Sequence, residues 1–464
     1  MISFTIALLA LVVGYLFYGK FIEHVMGPDN RLTPAVAKAD GVDYIVMPGW
    51  KIFMIQFLHM LSMRHGGVGL PELVGKYLGN TTKNVMLVFS VLLLVMVGVV
   101  FVYSPAIILE GLYGSRMWWI VAIFVYYIIA TLLPIDKIIG KIYPLFAFSL
   151  LFMAFALLIG FFVKLPDIPE LWSNLSDCNY NDNTAWLGTD SFMTKNPIFP
   201  CLFITIACGA ISGFHATQSP LMARCVKHEK MGRPIFYGAM ITEGVVALIW
   251  ATASMYFFYY GGWREVVDAE TVNKFMQQYG TEGGKTLVQF FDAPTVVKYI
   301  CSGWLGMFGG ILALLGVVAA PITSGDTAFR SARLIIAEFL DLEQHSLRKR
   351  LYICIPVFAA GLLLLFCQMN NPNGFNIIWQ YFGWANQTLS VFTLWTITVY
   401  LVQQKKPFIV TLIPAVFMTV VCSTFLLISK QAFGLNDTIA YTGSVVVLVL
   451  SLALFFVWYT KKMK

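Results

Sequence analysis

Long apolar runs, separated by short polar or charged stretches, dominate the sequence. A helix needs about 20 apolar residues to cross the hydrocarbon core of a bilayer. Runs of roughly that length predict eleven membrane-spanning helices, at residues 2–17, 85–102, 118–133, 142–163, 197–213, 234–260, 303–321, 351–367, 375–401, 408–429 and 440–460. The pattern therefore predicts an all-α polytopic membrane protein whose residues 1–464 form a single transmembrane domain.

The apolar run at 52–63 is too short to cross the bilayer as a helix. Basic loops flank it on both sides, so the chain must return to the side from which it came. Two explanations remain open, a re-entrant element or the absence of an even number of helices at this point. The polar stretches at about 164–196 and 261–302 predict the two larger loops, on the opposite side of the membrane.

Composition and charge agree with this topology. Only 12% of the residues are charged and 58% are hydrophobic, whereas about 25% of the residues in a typical soluble domain are charged. Of the 31 Lys and Arg residues, 23 fall in the loops of one side and none falls inside a predicted span. By the positive-inside rule that side is cytoplasmic, which places the amino terminus outside and the carboxyl terminus in the cytoplasm. These loops account for the positive charge, so we expect no nucleic-acid partner.

Common motifs for catalysis and metal binding are missing from the sequence. The eight cysteines include no CxxC pair, and residues 228–232 (HEKMG) depart from the HExxH zinc motif at its last position. There is no GxxxxGK[ST] phosphate-binding loop. We therefore expect no enzymatic activity, no metal site and no cofactor.

Three polar interruptions in the apolar runs are candidates for a solute pathway. The first is 208–220 (CGAISGFHATQSP), where glycine and proline loosen the helical hydrogen-bond ladder and free backbone groups to coordinate a solute. Its polar side chains are those of Ser212, His215, Thr217, Gln218 and Ser219. The alternative is an ordinary helix end with capping residues.

The second interruption is 316–333 (GVVAAPITSGDTAFRSAR). Here Pro321 is expected to end one helix, and Thr323, Ser324 and Asp326 to cap the next. A new helix amino terminus aimed inward would also favour a carboxylate through its dipole and free N–H groups. Capping without any contact to a solute explains the same residue types.

The third interruption is 377–395 (IIWQYFGWANQTLSVFTLW), an aromatic and amide cluster within an apolar segment. Asn386 and Gln387 need hydrogen-bond partners there, because an unsatisfied amide in hydrocarbon is costly. Trp384 lies beside them. Packing between helices would satisfy these amides as well as a solute would, and the aromatic residues could belong to an interfacial belt.

Glu243 is the acidic residue that lies well inside a predicted span. Ala239, Ala247 and Ala251 follow its helix face at four-residue spacing, which predicts that this face packs against another helix. An intramembrane carboxyl group costs about 2.5–3.5 kcal/mol to insert and is by default a functional candidate. We interpret Glu243 as a proton carrier, with a neutral interhelical hydrogen bond as the alternative.

At these residues the sequence resembles the carbon starvation A family of bacterial inner-membrane transporters. The resemblance extends over nearly the whole chain and is carried by residues 40–53 (DGVDYIVMPGWKIF), 62–79 (SMRHGGVGLPELVGKYLG), 199–225 (FPCLFITIACGAISGFHATQSPLMARC), 232–251 (GRPIFYGAMITEGVVALIWA), 320–340 (APITSGDTAFRSARLIIAEFL) and 384–389 (WANQTL). It implies uptake of peptides during nutrient stress, or of pyruvate in some members, with proton coupling. It also implies a helical bundle similar to the leucine transporter, with two inverted repeats.

The sequence departs from the family pattern at Leu58, His59 and Met60. Similar proteins carry at this point a glycine-rich broken helix and a further helix, whereas here the flanking segments join directly. This departure agrees with the even number of crossings required above. Two explanations stay open, a true deletion or a segment that this sequence omits. A broken helix is often where such transporters bind their solute, so in either case these residues would lack the principal site of the similar proteins.

These observations predict a secondary active transporter, helical throughout, that takes up peptides or small carboxylates such as pyruvate. The competing hypothesis is a membrane-embedded nutrient sensor that acts through a partner protein. Solute uptake into proteoliposomes distinguishes them, because a sensor binds a solute without accumulating it.

Overall fold

The computed structural model describes residues 1–39, 44, 46, 59–111, 113–133, 143–170, 172, 198–258, 261–279, 290–291, 293–344, 346–371, 374–429 and 432–463. In these ranges the regular structure is helical, apart from one isolated bridge between Leu32 and His228. The main helices are α1 (Ile2–Met26), α2 (His59–Arg64), α3 (Leu70–Leu78), α4 (Asn80–Glu110), α5 (Arg116–Leu132), α6 (Tyr143–Lys164), α7 (Phe203–Ala210), α8 (Gly213–Ala223), α9 (Gly238–Phe258), α10 (Ala269–Tyr279), α11 (Ala293–Phe339), α12 (Leu347–Met369), α13 (Gly374–Gln403), α14 (Ile409–Ile428) and α15 (Asp437–Met463). The predicted all-α fold is confirmed.

Eight helices in the described ranges are long and apolar enough to cross a membrane. They are Ile2–Met26, Asn80–Glu110, Phe146–Lys164, Glu229–Phe258, Gly309–Phe339, Leu347–Met369, Ile409–Ile428 and Asp437–Lys462. The chain is therefore a multi-pass membrane protein. The other three predicted spans correspond to the 17-residue helix α5, to the interrupted segment of α7 and α8, and to α13. The number of eleven spans and the inverted repeat stay predictions, and most of the short apolar run at 52–63 lies outside the described residues.

Helices α4 and α11 lie at the centre of the bundle. In the apolar stretch of α4, 61% of the residues are buried, compared with 11% in α1 and 17% in α15. The Phe329 ring of α11 packs against Phe124 of α5 and Phe358 of α12, with ring centroids 6.1 and 4.6 Å apart. A helix that is apolar on every face is expected at such a central position, whereas α1 and α15 keep wide apolar surfaces for lipid.

At each end of the bundle, a polar contact joins segments that are distant in sequence. The amino group of Met1 forms an ion pair with Glu170, which follows α6. At the other end the backbone N–H of Asp29 donates to Glu229, at 2.9 Å. In each pair, the predicted topology places the two partners on the same side of the membrane, and the two pairs lie on opposite sides. Which end faces the cytoplasm stays a prediction.

Pro321 does not end a helix, so the prediction of a helix boundary at 321–327 is wrong. Helix α11 continues through this residue to Phe339. A proline removes the N–H donor for the carbonyl four residues earlier, here that of Val317, and membrane helices tolerate such a loss. Close to the proline, the hydroxyl of Thr323 donates to the carbonyl of Ala320 at 2.9 Å, and Tyr127 donates to the carbonyl of Pro321 at 3.2 Å. Consequently Thr323, Ser324 and Asp326 do not cap a new helix. The change of direction in α11 lies instead at Gly306, whose φ is +67°.

Two arginines lie inside a candidate span, which corrects the expectation that the spans hold no Lys or Arg. Arg330 and Arg333 are 0% exposed in the continuous part of α11. The Nη1 of Arg330 donates to the carbonyl of Leu133 at 2.9 Å, and its Nη2 donates to the carbonyl of Ala130. The last carbonyls of a helix lack intrahelical partners and carry partial negative charge. Arg330 therefore satisfies the carboxyl-terminal end of α5.

We expect Arg330→Met to destabilise the protein strongly, because it leaves buried carbonyls without donors and removes a cation 3.9 Å from the Asp326 carboxylate. Hydrogen bonds to charged groups contribute about 1.5–3 kcal/mol each, so the apparent Tm of the purified protein in detergent should fall by several degrees. The matched control is Arg348→Met, at an exposed position in the first turn of α12. Equal Tm values for the two variants would contradict the capping role of Arg330.

Candidate functional site

The helix that begins at Phe203 is interrupted at Ile211 and Ser212. Both residues have non-helical backbone, with φ and ψ of −141° and 78° at Ile211 and of −95° and 126° at Ser212. The Ser212 hydroxyl accepts a hydrogen bond from the N–H of His215 at 3.5 Å and so caps α8. The interruption predicted from the glycines of 208–220 is therefore present, and Pro220 lies inside α8 without ending it.

Asn386 of α13 fills this break. Its Oδ1 accepts from the backbone N–H of Phe214 at 2.5 Å and from the Ser212 hydroxyl at 3.1 Å. The Asn386 side chain is fully buried, and these bonds offset the cost of placing an amide in an apolar interior. The first and third polar interruptions of the sequence thus form one site.

Gly213 allows α8 and α13 to approach this closely. A Cβ atom at Gly213 would lie 2.2 Å from the carbonyl oxygen of Asn386 and 2.3 Å from the Cβ of Leu389. Both distances are far below van der Waals contact, and the first atom belongs to the backbone of a helix that cannot shift easily. The break therefore depends on glycine at this position.

His215 and Glu243 bring two titratable groups to the same site. The His215 Nε2 lies 3.4 Å from the Glu243 Oε2. The His215 side chain is 14% exposed, and its Nδ1 has no hydrogen-bond partner among the residues that the structure describes. An imidazole and a carboxyl group therefore lie next to each other one turn after the helix break.

The expected packing along the face of Glu243 is found only at Glu243 itself, where His215 of α8 approaches the carboxyl group. Ala247 and Ala251 are exposed, so the described helices do not cover that part of the face. Helix α9 contacts α1 on the neighbouring side, where Gly244 lies next to Leu11. Small residues on one helix face permit close packing but do not supply a partner helix, which is why the prediction failed.

The segments 216–219 and 323–327 meet each other. The Nε2 of Gln218 donates to the Thr327 hydroxyl at 2.8 Å. The hydroxyls of Thr217 and Ser219 donate to carbonyls of their own helix, at 2.7 and 2.8 Å. Asp326 is fully buried, beside Arg330. These side chains join α8 to α11.

The remaining predicted residues lie on α13 or on α11. Trp384 is partly buried and meets the Phe89 ring edge to face, with centroids 5.5 Å apart. Gln387 is fully buried, and its carbonyl accepts from the Ser390 hydroxyl at 2.6 Å. Ser324 contributes a carbonyl that accepts from Thr327 at 3.0 Å. Of the predicted residues on α13, the described structure shows Asn386 alone at the helix break.

The sequence did not single out Glu229, which is 1% exposed and lies in a short 3-10 helix at the beginning of the candidate span Glu229–Phe258. Its carboxylate accepts from Arg64 Nε at 2.5 Å. Arg64 also donates to the Tyr400 hydroxyl at 2.7 Å and to the Gly27 carbonyl at 2.8 Å. The only signal in the sequence was that Arg64 and Glu229 belong to loops predicted on one side.

Lys406 lies at the same end of the bundle. Burial, together with the nearby charge of Arg64, lowers the pKa of Lys406 from its ordinary value. Its ammonium group donates to the carbonyl of Met26 at the end of α1. Lys406 and the Glu229 contacts together join α1, α2 and α13 at this end.

Comparison with known proteins identifies the family. The model of the family described as carbon starvation protein CstA matches residues 1–61 and 101–425. A membrane protein of Haemophilus influenzae is 38% identical, over 56% of this chain and 91% of its own length. Proteins named peptide transporter CstA are 27% identical in Escherichia coli, over 47% of this chain and 37% of that protein, and 27% identical in Bacillus subtilis, over 65% and 52%.

Among solved structures, a mutant manganese transporter of Eremococcus coleocola is similar, with a TM-score of 0.49 and 12% identity over 98% of this chain and 92% of that one. The chain spans only about a third to a half of the length of the two peptide transporters. The departure predicted near residues 58–60 lies close to the interruption of the family match at 62–100, and residues 47–58 lie outside the described part of the chain. Because the family model matches most of the sequence, the chain belongs to the carbon starvation protein CstA family.

Proposed function

We propose that this protein is a secondary active transporter of the bacterial inner membrane that takes up peptides or small carboxylates such as pyruvate, coupled to protons. The observation that carries the proposal is the helix break at Ile211 and Ser212, which packs against Asn386 and lies one turn from the His215–Glu243 pair. Interrupted helices at the membrane midplane are the usual place for solute and coupling-ion sites in secondary transporters. The peptide-transporter names of the relatives support the same function.

The break offers polar groups that a solute could use. The Oδ1 of Asn386 accepts the hydrogen bond of the Phe214 N–H, and the Ser212 hydroxyl accepts that of the His215 N–H. Helix amino termini favour negative charge, so a carboxylate of the solute could replace these side-chain oxygens as the acceptor. Release of Asn386 would then couple solute binding to a movement of α13 against α8.

The His215–Glu243 pair is the proposed proton site. Its two groups lie within 3.4 Å of each other, and the buried arginine Arg330 is engaged with the carbonyls of α5. A group that can be neutral or charged is suited to carry a proton across a membrane. In the proposed orientation the amino terminus is outside and the carboxyl terminus is cytoplasmic, as the basic loops predict.

Transport into proteoliposomes tests this proposal. With the interior more alkaline than the exterior, we expect labelled dialanine or labelled pyruvate to accumulate above its external concentration. A protonophore should abolish the accumulation, and protein-free vesicles are the control. Saturable binding of either compound without any accumulation would contradict transport and favour the nutrient sensor.

A further inference from the structure

A cavity of about 350 Å³ lies beside the helix break, between α1, α13 and the beginning of α14. Its walls are mostly apolar and include Ile211, Leu394, Ile397, Val410 and Pro414. Pockets of about 300–1,000 Å³ that are apolar with a few polar groups are typical binding sites for small molecules. This size and lining therefore fit an organic ligand with an apolar portion.

The cavity connects the break to the cluster around Glu229. Ile211 belongs to the break itself, and Leu394 lies two helical turns along α13 from Asn386. At the other end, Tyr400 and Glu229 line the cavity, and both bind Arg64. The cavity therefore extends from the candidate site to the ion pair of Arg64 and Glu229.

We propose that this cavity receives the apolar side chain of a transported peptide. The proposal rests on the proposed transport function and deepens it, because it names the part of the solute that binds here. A three-carbon acid such as pyruvate is too small to fill a cavity of about 350 Å³, whereas the side chain and backbone of a leucine residue cover such apolar walls. Burial of each CH₂ group contributes about 0.8 kcal/mol, so a larger aliphatic side chain binds more tightly.

The charges that line the cavity oppose a phospholipid as its occupant. They belong to Glu23, Glu229 and Arg233, and Arg233 lies 3.3 Å from Glu23. Glu229 is bound by Arg64. Since Arg233 is paired with Glu23 and Arg64 with Glu229, neither guanidinium group is left without a carboxylate for a phosphate head group to replace. An apolar side chain needs no cation to bind. Because the cavity adjoins the helix break, the peptide backbone can stay at the polar site while the side chain enters the cavity.

Val410→Trp tests the proposal by filling the cavity from α14. We expect the uptake of Leu-Leu relative to Gly-Gly into proteoliposomes to fall about tenfold or more, in the range by which hydrophobic pockets discriminate. The matched control is Ile413→Trp, three residues further along α14, where the side chain is 65% exposed and does not line the cavity. That variant should keep the parent ratio. An unchanged ratio in Val410→Trp would overturn the cavity assignment and leave the transport function intact.

A second measurement does not require transport. In a Val410→Cys variant, Leu-Leu should protect the new thiol from N-ethylmaleimide and Gly-Gly should not, as read at that residue by mass mapping of peptides. Protection without uptake of either peptide would support the cavity and contradict the transporter. The proposal would be overturned if Leu-Leu gave no protection. It would also be overturned if removing phospholipid, with no peptide added, made the labelling faster. If Val410→Trp fails to fold, the labelling of Val410→Cys still tests whether the peptide side chain binds in the cavity.

Discussion

Replacing Glu243 with Gln is expected to reduce pH-driven solute accumulation to the level of protein-free vesicles. The amide has nearly the same shape as the protonated carboxyl group but cannot release a proton. Exchange of labelled for unlabelled solute should persist, because exchange needs no net proton movement. Both rates are measured in the same proteoliposomes, with and without a pH gradient.

Two further variants make this test specific to the carboxyl group beside His215. Glu243→Asp keeps a titratable group but shortens its reach to the His215 imidazole, now 3.4 Å away, so it should retain partial accumulation. Glu343→Gln, at a side chain that is 79% exposed, should leave accumulation unchanged. If Glu243→Gln accumulated solute as the parent does and with the same pH dependence, the residue would be an interhelical polar contact and not the proton carrier.

Gly213→Ala is expected to abolish transport and to destabilise the protein. Its Cβ would lie 2.2 Å from the Asn386 carbonyl oxygen and would force α8 away from α13. Overpacking a well-packed interior typically costs about 1–3 kcal/mol and sometimes more, and here it also separates Asn386 from the helix break. The measurements are the apparent Tm in detergent and the rate of solute exchange in proteoliposomes.

The control for this substitution is Gly383→Ala in α13. A Cβ there would meet its nearest atom, the Cγ2 of Ile204, at 4.0 Å. Alanine is favoured over glycine inside a helix by up to about 1 kcal/mol, so this variant should keep both its stability and its exchange rate. Equal behaviour of the two variants would show that close contact at Gly213 does not hold the break in place.

Several features of the site were predictable from the sequence because they depend on neighbouring residues. The interruption near Gly209 and Gly213 was one, since glycine weakens helical propensity locally. The importance of Asn386 was another, because an amide inside an apolar run must find a partner. The identity of that partner could not be predicted, as Phe214 lies 172 residues away along the chain.

The errors have the same origin. Pro321 was expected to end a helix, but α11 continues through it, and Tyr127 and Thr323 donate to the carbonyls of Pro321 and Ala320. Arg330 and Arg333 were assigned to a loop for this reason, whereas they are buried in α11. The alanines beside Glu243 were expected to be covered, and Ala247 and Ala251 are exposed. Each error concerns a residue whose environment depends on where the other helices lie.

The sequence by itself determined that the chain is helical and crosses a membrane. Long apolar runs cannot remain in water, and a backbone in lipid must form its hydrogen bonds within the helix. Only the tertiary structure decided which polar residues meet, because helix faces that are distant in sequence come together on packing. It joined Asn386 to the break at Ser212, brought His215 to Glu243, and buried Glu229 against Arg64. Apolar packing tolerates many arrangements of helices, whereas each buried polar group requires one particular partner at hydrogen-bonding distance, and that requirement depends on the folded chain as a whole.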